Sequence, residues 1–464
     1  MRTLVSAIAL LFRSSLLVGT LALAPLLLDR ALTGIYPAQD LLAATRAYAQ
    51  VRGSNRHADE VRQYPDVSEN FWVRIQEASH FLQPPEGAGV RPEPKKAIQL
   101  LAALELERAR LNAYELVLLY QYYGYAYLVQ ENYDKSIEYY SKVLQQSPYM
   151  PVATEAQILL TLGQLYSVKN NPRKALDTML RWSEYVDELR PEHSYTFATL
   201  YYQLGDNKNS LLNINQAISR QQAEGKIPNE YWYLLQRELY FDREDYQNGL
   251  LALNNLIRFY PKAQYWQHLS YVYKLMKRDS ESLAALETCY LLGGLTTERD
   301  LLSLAYAQLK ANVPYKAVKV LRKGIYTDKV IEPSARNLKL LADALRVAQY
   351  PKESLVEYQK AAQKSRNADL IIGLASAYLA NENYKEASKW ARHALKTGPV
   401  KRPDQAYFII GQAELELKNF DEAIHFFKEA SKDSRSKKPA SEWITYAENE
   451  KAKLPTAKNY PVIQ

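Results

Sequence analysis

Apolar and aromatic side chains recur along most of the chain at the three- and four-residue spacing of an amphipathic helix. Residues 407–415 place an aromatic residue, an apolar residue and Gly411 on one face. Residues 420–430 follow after a short polar stretch, and Ala423 lies on their own apolar face. The spacing predicts two helices joined by a tight turn, which is a helical hairpin.

The same arrangement repeats along the chain at a nearly constant interval. In each copy a small residue opens the second helix where it crosses the first, because the side chains at a crossing set how closely two helices approach. These small residues are Ser136, Ala175, Ser210, Gly249, Ser282, Ala317, Ser354, Ala387 and Ala423. They define nine copies at a mean spacing of about 36 residues. Pro148, Pro261 and Pro399 mark ends of second helices, because proline cannot continue a helix.

This layout resembles the tetratricopeptide repeat, whose basic unit is about 34 residues long. The resemblance covers residues 95–431. It implies an all-α fold, a right-handed α-solenoid of about nine helical hairpins over residues 116–431. In such an array each hairpin leaves an apolar face that the next hairpin covers. The first helix of each hairpin is then expected to line a concave groove.

The sequence on either side of the repeats departs from the regular pattern. Residues 66–115 predict an irregular helical hairpin that is interrupted by a proline-rich loop at residues 83–94. Residues 432–464 predict a capping helix and a tail, because a terminal repeat needs a polar outer face. Residues 50–65 are polar and are predicted to form a linker.

The first 49 residues are expected to form a signal peptide or an N-terminal anchor. An apolar stretch begins soon after Arg2 and is interrupted by Arg13. The uninterrupted part is short for a bilayer-spanning helix, and Ala47-Tyr48-Ala49 offers a small-x-small cleavage site. Two alternatives stay open: cleavage after Ala49, or an uncleaved leader that associates with the inner membrane. Both predict a periplasmic location for the rest of the chain.

Composition and charge narrow the class of protein. Glycine, with 16 of 464 residues, is scarce for a fold rich in tight β-turns. The single cysteine, Cys289, excludes an internal disulfide and a cysteine-rich zinc site. The net charge of +8 is spread thinly along the chain, and no nucleic-acid partner is expected. The local basic cluster predicts a solvated terminal surface; its members are Lys432, Arg435, Lys437 and Lys438.

Motifs for catalysis or metal binding are missing from the sequence. The six histidines do not lie at metal-ligand spacing, and the glycine motifs of phosphate-binding loops and nucleophile elbows do not occur. Cys289 occupies a place in a second helix where a small apolar packing residue is expected. We therefore expect a non-enzymatic protein with no cofactor and no metal site.

Tyrosine is the unusual component, with 37 residues against 10 phenylalanines. Many tyrosines occupy packing positions of the repeat. Others lie beside the small residue of a first helix, where a large ring with a polar tip suits a protein-binding surface. The predicted partner-binding residues are Tyr125, Tyr195, Tyr202, Tyr231, Tyr271, Tyr306 and Phe408. They are expected to hold an extended or helical segment of a protein partner.

A narrower resemblance concerns the stretch before the first regular repeat. Leu111-Asn112-Ala113-Tyr114-Glu115 is similar to the start of exported tetratricopeptide proteins of Gram-negative bacteria that are associated with TonB-type energy transduction. The resemblance implies a periplasmic scaffold that is accessory to a complex of TonB, ExbB and ExbD. The proline-rich loop and the interrupted leader depart from that pattern. The alternative is a scaffold of the same fold that serves polysaccharide export or outer-membrane and cell-wall assembly.

Overall fold

A computed structural model describes most of the chain from His57 to Lys453. The described residues are 57, 60–84, 92–365 and 367–453. They form 21 α-helices and no strand, which confirms the expected all-α fold. No helix among these residues has the length and apolarity that crossing a membrane requires. Several predicted segments lie outside the described residues: the leader at 1–49, most of the linker, residues 85–91 of the proline-rich loop, and the tail from residue 454.

The helices fall into two compact units, and the first unit ends at Pro261. In it α1 and α2 form an irregular hairpin, and α3 to α10 form four regular hairpins joined by short turns. The helices of the first unit are α1 (Glu69–Leu82), α2 (Pro94–Glu105), α3 (Ala113–Val129), α4 (Tyr133–Leu144), α5 (Val152–Val168), α6 (Pro172–Ser183), α7 (Pro191–Gln203), α8 (Asn207–Ala223), α9 (Glu230–Asp242) and α10 (Tyr246–Phe259).

The second unit begins at Lys262 and contains five regular hairpins, α11 to α20, followed by the capping helix α21. The helix α14 continues into a π-helical turn, Lys323–Thr327. The helices of the second unit are α11 (Ala263–Leu275), α12 (Asp279–Leu291), α13 (Glu298–Lys310), α14 (Pro314–Arg322), α15 (Ala335–Val347), α16 (Pro351–Lys364), α17 (Ala368–Ala380), α18 (Tyr384–Thr397), α19 (Pro403–Glu416), α20 (Phe420–Ala430) and α21 (Lys437–Ala452).

One turn geometry closes all nine regular hairpins of the described chain. Each turn contains one residue with a positive φ angle, and only one of the nine is glycine. The next residue donates its backbone N–H to the carbonyl five residues earlier, as Asn132 does to Tyr127 at 2.9 Å. This is the Schellman arrangement, which satisfies a carbonyl at the end of the first helix. The positive-φ residues are Glu131, Asn170, Gly205, Glu244, Lys277, Asn312, Gln349, Glu382 and Lys418.

The predicted small residues lie at the crossings of the paired helices, as the repeat pattern requires. All nine are buried. Four of them are serines, and each donates its hydroxyl to the backbone carbonyl twelve residues earlier at 2.7 to 2.9 Å. The carbonyls belong to residues at the matching small positions of the first helices. The serines are Ser136, Ser210, Ser282 and Ser354.

The first-helix side of the crossing has one exception to the small-residue rule. In α9 the matching position holds Arg237, whose side chain is 1% exposed. The second helix carries glycine, Gly249, at the facing register position. Arg237 forms an ion pair with Glu238 at 3.5 Å. A buried charge thus replaces the small residue in one hairpin of the first unit.

The described part of the predicted linker packs against the first unit. We name residues 60–68 the N-terminal strap. Its Arg62 forms an ion pair with Glu155 of α5 at 2.5 Å, and both side chains are at most 7% exposed. Ser147 also donates its hydroxyl to Glu155 at 3.0 Å. This docking could not be predicted from the sequence, because charged and polar residues are also typical of a free linker.

The strap also enters the cap of α3. Ser68 donates its backbone N–H and its hydroxyl to Oε1 of Glu115, at 2.9 and 2.6 Å. Glu115 completes a capping box with Asn112. Burial by itself would raise the pKa of Glu115, but the hydrogen bonds from Ser68 and Asn112 hold it below its ordinary value. The start of the repeat array is therefore tied to the segment before it.

Two further predictions can be compared with the structure of the second unit. Cys289 is fully buried in α12, as expected of a packing residue, and burial raises the pKa of its thiol. The capping helix α21 begins at Lys437, within the segment 432–464 for which a capping helix and a tail were predicted. Its first turn is anchored by Ser436, whose hydroxyl donates to the buried carboxylate of Asp404 at 2.7 Å.

Candidate functional site

The structure distributes the seven predicted partner-binding residues over both units. Tyr125, Tyr195, Tyr202 and Tyr231 belong to the first unit, whereas the other three belong to the second unit. Their environments range from the interior to an open surface, so they do not act as one set.

Two of the predicted residues are packing residues. Tyr125 is only 8% exposed and belongs to an apolar cluster that also contains Phe71 of the irregular hairpin. The ring of Phe408 lies 5.4 Å from that of Phe427 and 6.5 Å from that of Trp443, which α21 supplies. The irregular hairpin therefore helps to bury Tyr125, and the capping helix α21 helps to bury Phe408.

The other first-unit tyrosines are half-buried. Tyr195 stacks on the buried ring of Trp232, with the ring centroids 5.7 Å apart and the planes at 25°. Burial raises the pKa of Tyr195 to about 12, and the neighbouring Tyr231 adds to this effect. The structure thus brings Tyr195 and Tyr231 together. Tyr202 is half-buried on the same helix as Tyr195.

In the second unit, Tyr306 is the predicted residue with the most open environment. Its side chain is 45% exposed, and it lines a surface depression of about 510 Å³. Tyr271 of α11 is half-buried and is not part of that lining. We name the depression the α13/α15 face, because its walls come from the first helices of two successive hairpins. Its lining residues are Thr297, Glu298, Arg299, Leu302, Ser303, Tyr306 and Arg336.

Helical periodicity explains why one side of α13 forms this face. Arg299, Leu302, Ser303 and Tyr306 are spaced at i, i+3, i+4 and i+7, so they share one side of the helix. The Ser303 hydroxyl donates to the backbone carbonyl of Arg299 at 2.7 Å, so the hydroxyl hydrogen of Ser303 already has an acceptor within the helix. The opposite side of α13 is in the core, and its buried residues are Leu301, Leu304, Ala305 and Gln308.

Hydrogen bonds fix the two walls of the α13/α15 face relative to each other. The buried side chain of Asn337, in α15, donates to Glu298 of α13 at 2.6 Å. The same amide nitrogen donates to the carbonyl of Glu332 at 2.9 Å. Because the one carboxylate that lines the depression accepts this bond, both walls are held in place before any partner arrives.

The charges around the α13/α15 face are mostly paired within the protein. Lys310 lies 2.6 Å from Asp279, and Lys339 lies 2.6 Å from Asp343. Arg299 and Arg336 are different. Both are exposed, and neither forms an ion pair with any residue that the structure describes.

Sequence reasoning found Tyr306 and missed Arg299, Leu302 and Arg336. Tyr306 directly follows the small residue Ala305 of its helix, whereas the predicted set of partner-binding residues contains only aromatic side chains. The missing signal was available, because Arg299 lies seven residues before Tyr306 and therefore on the same helix face. The pairing of α13 with α15 follows from the repeat, but the shape of the depression does not.

No group of three or more histidine, cysteine, aspartate or glutamate side chains in the described part of the chain could hold a metal ion. Thr297 lines the α13/α15 face as the N-cap of α13: its hydroxyl donates to the Asp300 carboxylate at 2.7 Å and accepts the Asp300 backbone N–H at 3.2 Å. The lining of this face combines an aliphatic side chain and an aromatic ring, Leu302 and Tyr306, with the guanidinium groups of Arg299 and Arg336.

Comparison with known proteins identifies one hairpin directly. A family model described as "Tetratricopeptide repeat" matches residues 404–432, which form the hairpin of α19 and α20. This hairpin is similar to a tetratricopeptide repeat; the other regular hairpins share its closing turn, and all but the α9–α10 hairpin, which has Arg237, share its small residues at the crossing. A search of curated proteins found no match.

Solved structures include several chains that are similar to this one over part of its length. The crystal structure of MamA is 20% identical, covers 43% of this chain and 98% of that chain, and gives a TM-score of 0.32. PilF of Pseudomonas aeruginosa is 12% identical, with coverage of 48% and 97% and a TM-score of 0.30. Yeast Tom70 is 14% identical, with coverage of 83% and 96% and a TM-score of 0.30.

Proposed function

We propose that this chain is a non-enzymatic scaffold that binds a protein partner through the α13/α15 face. One observation carries the proposal: the exposed Tyr306 ring and Leu302 line the same depression as two exposed arginines that have no ion-pair partner among the described residues. Tyrosine and arginine are enriched at the centres of protein interfaces, where they provide most of the binding energy.

The preorganisation of the face supports this role. Asn337 already joins α13 to α15, so binding does not need to order the two helices. A partner then loses mainly its own conformational entropy, and less of the interaction energy is spent on ordering the scaffold. A volume of about 510 Å³ suits one or two anchoring side chains of a segment rather than a whole domain.

We further propose that the protein works in the periplasm, as an accessory to a TonB-type energy-transduction complex. The support comes from the sequence: the apolar leader that ends near Ala49, and the resemblance of residues 111–115 to exported proteins associated with TonB, ExbB and ExbD. The partner in this proposal is a component of that complex.

Site-specific photocrosslinking in the native cell tests the proposal. A benzoylphenylalanine at position 306 is expected to crosslink to a partner protein. The matched control is position 315, because Tyr315 is similarly exposed, at 52%, but lies on the second helix α14. A 306-specific adduct containing TonB, ExbB or ExbD supports the whole proposal.

The other outcomes separate its parts. An adduct with a protein of polysaccharide export or of outer-membrane or cell-wall assembly supports the binding role and replaces the TonB context. No adduct at position 306 beyond that at 315 contradicts the assignment of the face. Location is tested separately: proteolysis of the chain in spheroplasts, with a cytoplasmic marker intact, is the expected result, and full protection overturns the periplasmic proposal.

A further inference from the structure

We propose that the α13/α15 face is selective for an acidic segment that also carries a large apolar side chain. Carboxylates of the segment pair with Arg299 and Arg336, and the apolar side chain packs on Leu302 and Tyr306. This inference rests on the proposed function and specifies the chemistry of the partner.

The first argument is the local charge balance. The other cations beside the face are already neutralised: Lys310 by Asp279 and Lys339 by Asp343. The carboxylate of Glu298 accepts the Asn337 amide. The neutral amide fixes the position of the Glu298 carboxylate but leaves its negative charge, so the two arginines and one glutamate of the lining give a net charge of +1, which favours an anionic ligand.

The second argument is the position of the two arginines. Arg299 comes from the first turn of α13 and Arg336 from the first turn of α15, so the two charges stand on opposite walls of the same depression. A planar guanidinium pairs with a carboxylate through two parallel hydrogen bonds, which gives geometric selectivity as well as attraction. A segment lying between the walls can reach both.

The third argument separates a protein segment from other anions. The lining contains Leu302 and the half-exposed ring of Tyr306, and an apolar group that packs against them is stabilised because apolar surface is removed from water. A nucleic acid would need a longer track of unpaired cations to follow its backbone, and the neighbouring lysines are committed to internal ion pairs. The combination favours an acidic peptide with an apolar anchor.

Selection from a random peptide display library on the purified protein tests this inference. The wild type is expected to enrich peptides rich in Asp and Glu that contain at least one aromatic or large aliphatic residue. One enriched peptide is then labelled and titrated by fluorescence anisotropy, together with a variant in which every Asp and Glu is replaced by Asn and Gln.

The binding-site variant is Arg299→Glu with Arg336→Glu. We expect it to weaken binding of the acidic peptide at least tenfold, and to reduce the salt dependence seen between 50 and 300 mM NaCl. The matched control is Arg173→Glu with Arg243→Glu, which makes the same charge change at exposed positions of the first unit. The control is expected to bind like the wild type. Far-ultraviolet circular dichroism checks that all variants stay folded.

The outcomes distinguish this inference from the function on which it rests. If peptides are enriched but the neutral version binds equally well, and Tyr306→Ala abolishes binding while the arginine variant does not, the face binds proteins without charge selectivity and the inference is wrong. If the wild type enriches no peptide at all, the proposed binding role of the face also fails. Tighter binding of single-stranded oligothymidylate than of any acidic peptide would overturn both.

Discussion

The crossing of α3 and α4 makes a sharp prediction about a single methyl group. A Cβ atom on Gly124 would lie 2.7 Å from two ring carbons of Tyr140, and 2.9 Å from a third. Tyr140 is 1% exposed, so its rigid ring has little room to move. The neighbouring hairpin has an equivalent glycine, Gly163, whose Cβ would lie 2.7 Å from the side chain of Met179. Methionine is flexible and can move its sulfur aside.

The two substitutions are therefore expected to change the free energy of unfolding differently, although both convert a helical glycine to alanine. Alanine is favoured over glycine inside a helix by about 1 kcal/mol. Overpacking a rigid site costs about 1–3 kcal/mol. We expect Gly124→Ala to lower the free energy of unfolding by up to about 2 kcal/mol, which is the cost of overpacking less the gain in helix propensity. Gly163→Ala is expected to leave it unchanged or to raise it by up to about 1 kcal/mol.

Urea denaturation monitored by circular dichroism compares the two variants with the wild type. Because repeat arrays open locally, amide hydrogen exchange of α3 and α4 should be measured as well. Gly124→Ala is expected to accelerate exchange in that hairpin. The double variant Gly124→Ala with Tyr140→Leu is expected to recover part of the loss, since the smaller side chain makes room for the methyl group. Equal or higher stability of Gly124→Ala relative to Gly163→Ala would refute this reasoning.

Three other regions give further predictions. Burial, helped by Arg190, lowers the pKa of His193 to about 4, below the value of about 6.5 in an unfolded chain, so its contribution to stability is complete above pH 6.5 and is lost as the pH falls towards 4. Between pH 7 and pH 4 the wild type should lose up to about 3 kcal/mol more of its free energy of unfolding than the His193→Gln variant, as measured by urea denaturation. An identical loss in the two proteins would contradict the lowered pKa of His193. Lys418→Gly should raise the urea midpoint by the equivalent of about 0.5–1 kcal/mol, because Lys418 has a φ of 64° that glycine adopts without strain; a lower midpoint would be the opposite result. Arg62→Ala should make the N-terminal strap several-fold more sensitive to limited proteolysis, since Glu155 loses its buried partner, whereas Arg74→Ala, which breaks an exposed pair with Glu107, should not; equal cleavage of both variants would exclude the docking role.

Much of the fold follows from the sequence because the repeat encodes it many times. Each copy places a small residue at the crossing. The register of the repeat is supported by nine copies, so it can still be recognised when one copy departs from the pattern. Arg237 is such an exception. The repeat spacing identifies residue 237 as a crossing position, where a small residue is expected. It does not predict that the protein buries an arginine there.

The α13/α15 face was harder to predict, because it depends on contacts between hairpins. The rule that found Tyr306 also selected Tyr125 and Phe408, which lie near the ends of the array. There the irregular hairpin and the capping helix supply additional packing partners. Arg299 and Arg336 differ from Lys310 and Lys339 in the folded protein because both lysines form ion pairs and the arginines form none with described residues. The sequence does not show which charged residues pair.

The shared closing turn has a consequence for synthesis on the ribosome. At about 5–20 residues per second, a repeat of about 34 residues takes several seconds to emerge, whereas a helix forms within microseconds. Each reversal of direction, set by its own positive-φ residue and backbone hydrogen bond, can therefore be complete long before the following hairpin exists. Until the following hairpin packs on it, the newest hairpin exposes an apolar face, so in a chain that folds as it emerges the last hairpin made is the one with uncovered apolar surface.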